Sequence, residues 1–220
     1  MVLEVDHVHH PKHTGKHFQK AETVKKGISF FDFDGTISSK DSLAEMIRFM
    51  HGEWGFRKGV ALTLPMILGY QLGLVDRQRS KEVLFTRFFG GLFIDSFEKS
   101  CETFHREILP GIIREGVAER LHWHREQGHE LVLVSASPEN WLRHWCAEQG
   151  MTCLATQLEI REGRLTGRIE GRNCQGTEKV SRIKASFNLE TYEEIHAYGD
   201  TPGDRPMLSL AHHPHYKPFR

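Results

Sequence analysis

The sequence KKGISFFDFDGT, residues 25–36, joins a short apolar run to a pair of carboxylates. The apolar part, Gly27–Phe33, has the length and composition of a strand buried on both faces of a parallel sheet. Two similar runs follow, ELVLV at Glu130–Val134 and EIHAY at Glu194–Tyr198. Polar residues come directly after each run, and open α/β sheets bind ligands beyond the carboxyl ends of their strands. These patterns predict an α/β fold with a parallel sheet and a functional site at that edge.

The segment between the first two strands contains more helix than a single crossover between parallel strands requires. The candidate helices are Ser42–Met50, Phe56–Leu74, Ser80–Phe89, Ser96–Ile108 and Ile112–Gln127. The surplus predicts a helical cap at residues 39–110, inserted into a core domain made of residues 27–38 and 111–220. The alternating stretch Leu158–Ile169 predicts a β-hairpin attached to that core.

Composition excludes several classes of protein. Lys plus Arg and Asp plus Glu number 29 each, so the net charge does not favour nucleic acid as a partner. The four cysteines form no CxxC pair, which predicts free, buried thiols in a reducing, cytoplasmic compartment. Gly59–Val75 is mostly apolar but contains Pro65 and is slightly short for a membrane span. We interpret it as a buried or interfacial helix, with membrane contact as the less favoured alternative.

Histidines occur throughout the chain, with one group of five near its start. Residues 1–26 carry five of them and lack the apolar core of a secretion signal, which predicts a solvated tail capable of adventitious metal binding. The later histidines show no metal-ligand spacing, so we interpret them as surface or packing residues. They include His122, His124, His144, His212 and His213.

Asp32 and Asp34 are the first candidate site residues. Side chains two positions apart on a strand point the same way, so both carboxylates can face one site. Paired carboxylates repel each other unless a cation or a proton is present, and Mg²⁺ prefers such hard oxygen ligands. An Asp-rich turn with its corner at Asp34 and Gly35 is the alternative interpretation.

Polar residues at three later positions carry related chemistry. The hydroxyl of Ser135 and the N–H of Ala136 suit a phosphoryl oxygen, although a serine here can also cap a helix. Lys179 lies in the first turn of a predicted helix, where the helix dipole disfavours a cation unless it faces an anion. In the sequence GDTPGD, Asp200 ends a strand and Asp204 lies at a helix start, where an acid can also serve the helix alone.

These stretches together resemble the four ordered motifs of the haloacid dehalogenase (HAD) superfamily of phosphohydrolases. The motifs are DFDGT at Asp32–Thr36, LVSAS at Leu133–Ser137, the lysine of GTEK at Lys179, and GDTPGD at Gly199–Asp204. The resemblance covers most of residues 27–220. The long helical insert is similar to that of the phosphoserine-phosphatase-like branch, subfamily IB. The resemblance implies a Rossmann-like core with a parallel sheet and an inserted helical cap of the C1 type.

The same resemblance implies a function. It implies a phosphatase that uses Mg²⁺ to hydrolyse a small phosphate monoester through an aspartyl-phosphate. Asp32 would be the nucleophile, and Asp34 would protonate the leaving alcohol and then deprotonate water. The other implied roles are metal binding by Asp32, Asp34, Asp200 and Asp204, and phosphate binding by Ser135, Ala136 and Lys179.

Substrate selection is the point at which the resemblance weakens. Phosphoserine phosphatases carry a glutamate nine positions after the nucleophile to hold the substrate's amino group, and Asp41 occupies that position here. Asp41 can serve a different head group, or it can cap the helix that begins near Ser42. Arg87 lies near the place where that family has an arginine for the substrate carboxylate.

Several alternatives remain at this stage. The runner-up function is a phosphatidylglycerophosphate or lysophospholipid phosphatase at a membrane surface, which the apolar stretch Gly59–Val75 would serve. A phosphotransferase would use an alcohol in place of water. Alternatives of another class are a phosphoaccepting signalling receiver, which Asp34 argues against, and a non-catalytic binding domain.

Overall fold

The computed structural model describes residues 25–71 and 76–220, which include a single six-stranded sheet. The strands are β1 (Lys25–Phe31), β2 (His129–Pro138), β3 (Thr152–Arg161), β4 (Arg164–Glu170), β5 (Tyr192–Gly199) and β6 (His213–Tyr216). Their order across the sheet is β4-β3-β2-β1-β5-β6. All neighbouring strands are parallel except β3 and β4, which are antiparallel. The predicted α/β fold with a parallel sheet is therefore confirmed.

Helices cover the sheet and form the insert between β1 and β2. They are α1 (Ser42–Gln71), α2 (Arg77–Phe89), α3 (Ile94–Glu107), α4 (Val117–Glu126), α5 (Glu139–Glu148), α6 (Thr177–Ser186) and α7 (Arg205–Leu208). Helix α1 is broken at Gly52 (φ 69°, ψ 172°), so the first two predicted helices are parts of one interrupted helix. The predicted helix Ile112–Gln127 begins only at Val117, because Gly116 adopts a left-handed conformation (φ 79°) just before it.

The three strands predicted from apolar runs are β1, β2 and β5, and they lie side by side. Phe31 of β1 is paired with Leu133 of β2 on one side and with Tyr198 of β5 on the other. The predicted hairpin is also present, since Leu158 of β3 faces Ile169 of β4. This register brings the carboxyl ends of β1, β2 and β5 to one edge, which is where parallel sheets place their ligands.

Two hydrophobic clusters occupy the two faces of the sheet. Phe30 and Phe31 are both fully buried, and because strand side chains alternate, they belong to different clusters. The cluster around Phe31 also contains Met46 of α1, Phe85 of α2 and Phe97 of α3. The inserted helices therefore pack directly on the core, with α2 against β4 and α3 against α5.

Three sequence expectations concern surface and compartment. Residues 1–24, with the five tail histidines, lie outside the described residues, and β1 already includes Lys26 at the end of the predicted tail. All four cysteines are free, and three of them are buried, as predicted. Within 25–71 and 76–220, no helix has the length and apolarity needed to traverse a bilayer. The apolar stretch Gly59–Val75 runs along α1 to Gln71, where Leu62 is exposed, and its last four residues lie outside the described ranges.

Candidate active site

Three aspartates converge at the carboxyl edge of the sheet. Asp32 directly follows β1, Asp200 directly follows the neighbouring β5, and Asp204 ends a short 3-10 turn after it. Each offers a carboxylate oxygen that lies within 4.8 Å of the other two, and all three side chains are buried. Carboxylates so close together require a compensating positive charge.

Lys179, in the first turn of α6, supplies part of that charge. Its Nζ donates hydrogen bonds to Oδ1 of Asp32 (2.6 Å) and to Oδ1 of Asp204 (2.7 Å). Burial by itself would lower the pKa of Lys179, but the two carboxylates outweigh it and raise that pKa above its usual value. The lysine is thus charged, and its unusual position in a first helical turn is explained by the anions it faces.

The donor set fits Mg²⁺. Burial raises the pKa of Asp32 to about 7 even though Lys179 acts in the opposite direction, so one ammonium does not fully compensate the buried carboxylates. Asp200 has a further cationic neighbour, since Nη2 of Arg220 lies 2.6 Å from its Oδ2. The three aspartates offer only oxygen atoms, which are the ligands that Mg²⁺ prefers. The chemistry of this cluster therefore suits a hard divalent cation.

The loop that carries Asp204 is held by Asp204 itself. Its Oδ2 accepts hydrogen bonds from the N–H of Asp200 (3.2 Å), and from the N–H (3.0 Å) and hydroxyl (2.7 Å) of Thr201. Burial would raise the pKa of Asp204, but Lys179 and Thr201 together hold it below the usual range. Asp204 is therefore a charged residue that fixes Lys179 and the backbone beside Asp200.

Gly35 allows the loop after β1 to approach Asp200. Its φ of +87° is in the left-handed region, and a Cβ added there would lie 2.5 Å from Oδ2 of Asp200. Thr36 follows, and its hydroxyl lies 3.2 Å from Oδ1 of Asp200 and 3.4 Å from Oδ2 of Asp32. The backbone of the DFDGT loop can therefore lie directly against the carboxylate of Asp200, which follows the neighbouring strand β5.

Asp34 lies near Asp32 in the loop after β1 but has different partners. Its Oδ1 accepts a hydrogen bond from the N–H of Ser42 (2.6 Å), and its Oδ2 accepts one from the hydroxyl of Ser137 (2.5 Å). Burial and the nearby charge of Asp41 raise the pKa of Asp34, while these hydrogen bonds act against the rise. A raised pKa favours the protonated form, which a general acid requires.

The end of β2 supplies the predicted phosphate-binding residues. Ser135 is fully buried, and its hydroxyl oxygen accepts a hydrogen bond from the N–H of Ser137 (3.0 Å). Ala136 and Ser137 line a cavity at this edge of the sheet, whereas Ser135 is not among the lining residues. The carbonyl oxygen of Ala136 accepts a hydrogen bond from Nζ of Lys81 (2.6 Å), which ties the end of this strand to α2.

The cavity above these residues has a volume of about 380 Å³, within the range of small-molecule sites. Asp41 lines it, and Oδ1 of Asp41 also accepts a hydrogen bond from the N–H of Ala44 (2.9 Å) at the start of α1. Both interpretations of Asp41 are thus compatible with its position. Arg87 is exposed on α2, one turn beyond the last cavity-lining residue of that helix, Leu84. The structure does not bring Arg87 to the cavity.

Sequence reasoning missed several residues that line the cavity. Arg77 and Lys81 of α2 both contribute, and burial lowers the pKa of Lys81 to about 8 despite the nearby aspartates. Residues four apart share one face of a helix, so two basic residues at this spacing were a usable signal. Ser137 is the last residue of the predicted motif LVSAS but was given no role, and Gln175 lies four positions before Lys179 with nothing in its spacing to mark it.

Known proteins share this sequence pattern and fold. The sequence profile of haloacid dehalogenase-like hydrolases matches residues 29–209. Protein CicA of Caulobacter vibrioides is 33% identical over 86% of this chain and 85% of its own length. Phosphoserine phosphatase SerB1 of Mycobacterium tuberculosis is 26% identical over 83% of this chain and 61% of its own length.

A solved structure supports the fold independently. It is the crystal structure of a protein with unknown function from Bordetella pertussis, which is 21% identical and superposes with a TM-score of 0.73. The match covers 85% of this chain and 87% of that one. Since the family profile spans most of the described residues, including all four motifs, the chain belongs to the haloacid dehalogenase-like hydrolase family.

Proposed function

We propose that this hydrolase is a Mg²⁺-dependent phosphatase that cleaves small phosphate monoesters through an aspartyl-phosphate on Asp32. The observation that carries the proposal is the buried cluster of Asp32, Lys179 and Asp204, with Asp200 beside it, at a cavity that several charged side chains line. An anionic nucleophile with a shared lysine and oxygen ligands for a cation suits phosphoryl transfer, where catalysis is mostly positioning and charge neutralisation.

Asp32 is the proposed nucleophile. Its carboxylate is buried at the end of a central strand and is fixed by Lys179, so it has little freedom to leave its attacking position. Asp32, the backbone carbonyl of Asp34 and Asp200 would hold Mg²⁺, with Asp204 in support. When bound, the ion would supply positive charge to the carboxylates and to the phosphoryl oxygens.

Asp34 is the proposed acid and base. Protonated, it donates to the oxygen of the leaving alcohol; ionised after that transfer, it accepts a proton from the water that hydrolyses the aspartyl-phosphate. Its raised pKa supports the first role, and its two hydrogen bonds from Ser42 and Ser137 hold it in one orientation. The phosphoryl oxygens would be bound by the hydroxyl of Ser135, the N–H of Ala136 and the ammonium of Lys179.

Residues 39–110 form the proposed cap, and its side chains would select the substrate. Asp41 contributes a negative charge to the cavity wall, whereas Arg77 and Lys81 contribute positive charge. Walls of both signs suit a small substrate that carries an amine and a carboxylate besides its phosphate. The similarity to a phosphoserine phosphatase supports the same class of substrate. In this proposal Arg77 and Lys81, rather than Arg87, would bind the carboxylate of the substrate.

Of the two alternative functions, the structure offers some support for the first, and the second is disfavoured. Among the side chains that the structure describes, the exposed Trp54, Leu62 and Leu64 of α1 favour the lipid phosphatase, and they lie outside the cavity. The receiver module is disfavoured by membership in a hydrolase family and by Asp34, which would hasten the loss of its phosphate.

A cytoplasmic location is part of the proposal and is supported by the four free cysteines.

Hydrolysis assays test the proposal. The purified chain should release phosphate from an aryl phosphate in Mg²⁺ and not in excess chelator. Asp32→Asn should abolish turnover, whereas Asp95→Asn, which changes an exposed aspartate on α3, should not. Substantial Mg²⁺-dependent turnover by Asp32→Asn would refute the mechanism.

A substrate panel tests the proposed cavity chemistry separately. Asp41→Asn and Lys81→Met should raise KM for O-phosphoserine more than for an aryl phosphate, because only O-phosphoserine has an amine and a carboxylate, besides its phosphate, for them to bind. A strong preference for lysophosphatidic acid, together with flotation of the protein on vesicles, would instead establish the lipid alternative.

A further inference from the structure

A second cluster of ionisable side chains lies on the same sheet, nearer the amino ends of its strands. It contains Glu194 and His196 of β5, His129 of β2 and His213 of β6. The sequence spacing of the histidines gave no sign of this cluster, because it is assembled from three strands that are distant in sequence and adjacent in the sheet.

Three side chains of the cluster meet at one carboxylate oxygen. Oε2 of Glu194 lies 3.3 Å from Nε2 of His196 and 3.7 Å from Nε2 of His129. Four-coordinate zinc with bonds of about 2.0–2.1 Å places its ligand atoms about 3.3–3.4 Å apart. Both separations are close to that value, so Oε2 of Glu194 is placed to share a zinc-sized ion with the ring nitrogen of either histidine.

His213 is the available fourth ligand. A ring nitrogen of His213 lies within 4.8 Å of ligand atoms of both Glu194 and His196. His129 and His196 are buried, whereas Glu194 and His213 are exposed. The exposed pair can therefore close around an ion by changes of side-chain rotamer, while the buried pair stays fixed.

The buried pair is oriented by further histidines. Nδ1 of His129 lies 2.9 Å from Nδ1 of His124, whose Nε2 lies 2.8 Å from the hydroxyl of Tyr198. Nδ1 of His196 lies 3.3 Å from Nε2 of His215. Histidines that bind metals usually use their second nitrogen in such a hydrogen bond, which fixes the ring and directs the other nitrogen at the ion.

The ring environment also favours the uncharged form that binds metals. Burial lowers the pKa of His124 to about 3 and that of His196 to about 4, and neighbouring histidines add to the effect on His124. Uncharged imidazoles with one carboxylate are a soft donor set compared with the three aspartates of the candidate active site. Imidazole nitrogens suit zinc, nickel and copper, whereas carboxylate oxygens suit magnesium.

We propose that Glu194, His129, His196 and His213 bind a divalent transition-metal ion of the zinc class. The site is distinct from the candidate active site, because His196 and Asp200 are separated by four residues of extended chain, about 13 Å. A bound ion would join β2, β5 and β6. It would therefore stabilise the half of the sheet from which Asp200 extends.

Zinc titration by calorimetry tests the proposal on the full chain in the presence of excess Mg²⁺. The tail histidines are first replaced by glutamine, so that they cannot contribute. They are His7, His9, His10, His13 and His17. We expect one zinc ion per chain and a melting temperature that rises with zinc concentration, since a ligand that binds only the folded state stabilises it.

Variants then locate the bound ion. Glu194→Gln and His213→Gln change exposed side chains, so both should fold, and each should weaken zinc binding at least about 10-fold, as the loss of a group that supports a metal site does. His122→Gln is the matched control, because His122 is an exposed histidine on α4 that pairs with Glu126. It should leave zinc affinity unchanged. The proposal is overturned if no zinc binds, or if both site variants bind zinc as tightly as the control, since the cluster would then be a hydrogen-bond network only.

Discussion

Nζ of Lys179 lies 2.6 Å from Oδ1 of Asp32, and the two residues are separated by 147 positions in the sequence. Both side chains are almost completely buried, and the same ammonium also binds Asp204. Removing one member of a buried ion pair leaves the other charge uncompensated, which costs about 3–5 kcal/mol. The stability of the fold and the chemistry of the site therefore depend on the same lysine.

Lys179→Met should lower the free energy of unfolding of the metal-free protein by about 3–5 kcal/mol and reduce turnover severely. Mg²⁺ should restore part of the stability, because it supplies charge to the same carboxylates. Urea unfolding with and without Mg²⁺ measures both effects. Lys184→Met is the control, since Lys184 is an exposed lysine of the same helix. Equal stability of the two variants would show that the buried ion pairs contribute nothing.

The raised pKa of Asp32 gives the metal-free protein a pH-dependent stability. The folded state holds this proton up to about pH 7, whereas the unfolded chain releases it near pH 3.8, so the folded form is favoured at low pH. Stability from this group should be lost as pH rises from about 4 through 7. In Asp32→Asn that loss should be absent, so the stability of the variant relative to wild type should increase as pH rises from about 4 to 8 in chelator. Thermal unfolding across this pH range tests it, and parallel profiles for the two proteins would contradict it.

Ser137→Ala should shift the pH dependence of catalysis. The hydroxyl of Ser137 donates to Asp34 and helps to lower its pKa, so removing it should raise that pKa further. If protonated Asp34 is the general acid, the alkaline limb of the kcat profile should move to higher pH. Ser181→Ala, which removes an exposed hydroxyl on α6, serves as the control. A reduced rate with no movement of the limb would assign Ser137 a purely structural role.

Gly35→Ala should lower the affinity for Mg²⁺ by more than its effect on the stability of the fold explains. The new Cβ would meet Oδ2 of Asp200 at 2.5 Å and displace that carboxylate. Gly91→Ala provides a matched comparison, since Gly91 has a similar φ of +83° but no atom lies within 4 Å of the added Cβ. Both variants bear the backbone strain, and only Gly35→Ala bears the collision. If both variants require the same Mg²⁺ concentration for activity, the absence of a side chain at Gly35 is not needed for metal binding.

The catalytic edge of the sheet could be predicted because its residues directly follow apolar strands. Asp32, Ser135 and Asp200 each occur at or just beyond the end of such a run, and parallel strands necessarily bring those ends together. Lys179 was predictable for a different reason, since its place in a first helical turn calls for an anion. The local sequence around each of these motif residues was therefore enough to predict that it belongs to the site.

Other parts of the structure depend on contacts between distant segments. β6 has the sequence HPHY, which has no apolar alternation, and it becomes a strand by pairing with the edge of β5. Likewise Arg77 and Lys81 reach the cavity only because of how α2 packs over the sheet. Arg87 was assigned from the family pattern, and one additional helical turn is enough to carry it out of the cavity.

The central position of β1 has a consequence for biosynthesis. β1 is the earliest of the described strands, yet it lies between β2 and β5, which are translated much later. A nascent chain therefore carries Asp32, the proposed nucleophile, well before the ribosome has produced Lys179, 147 residues further on, and then Asp204. Because long-range pairing must wait for its partner, the proposed site cannot be complete until Asp204 has been translated.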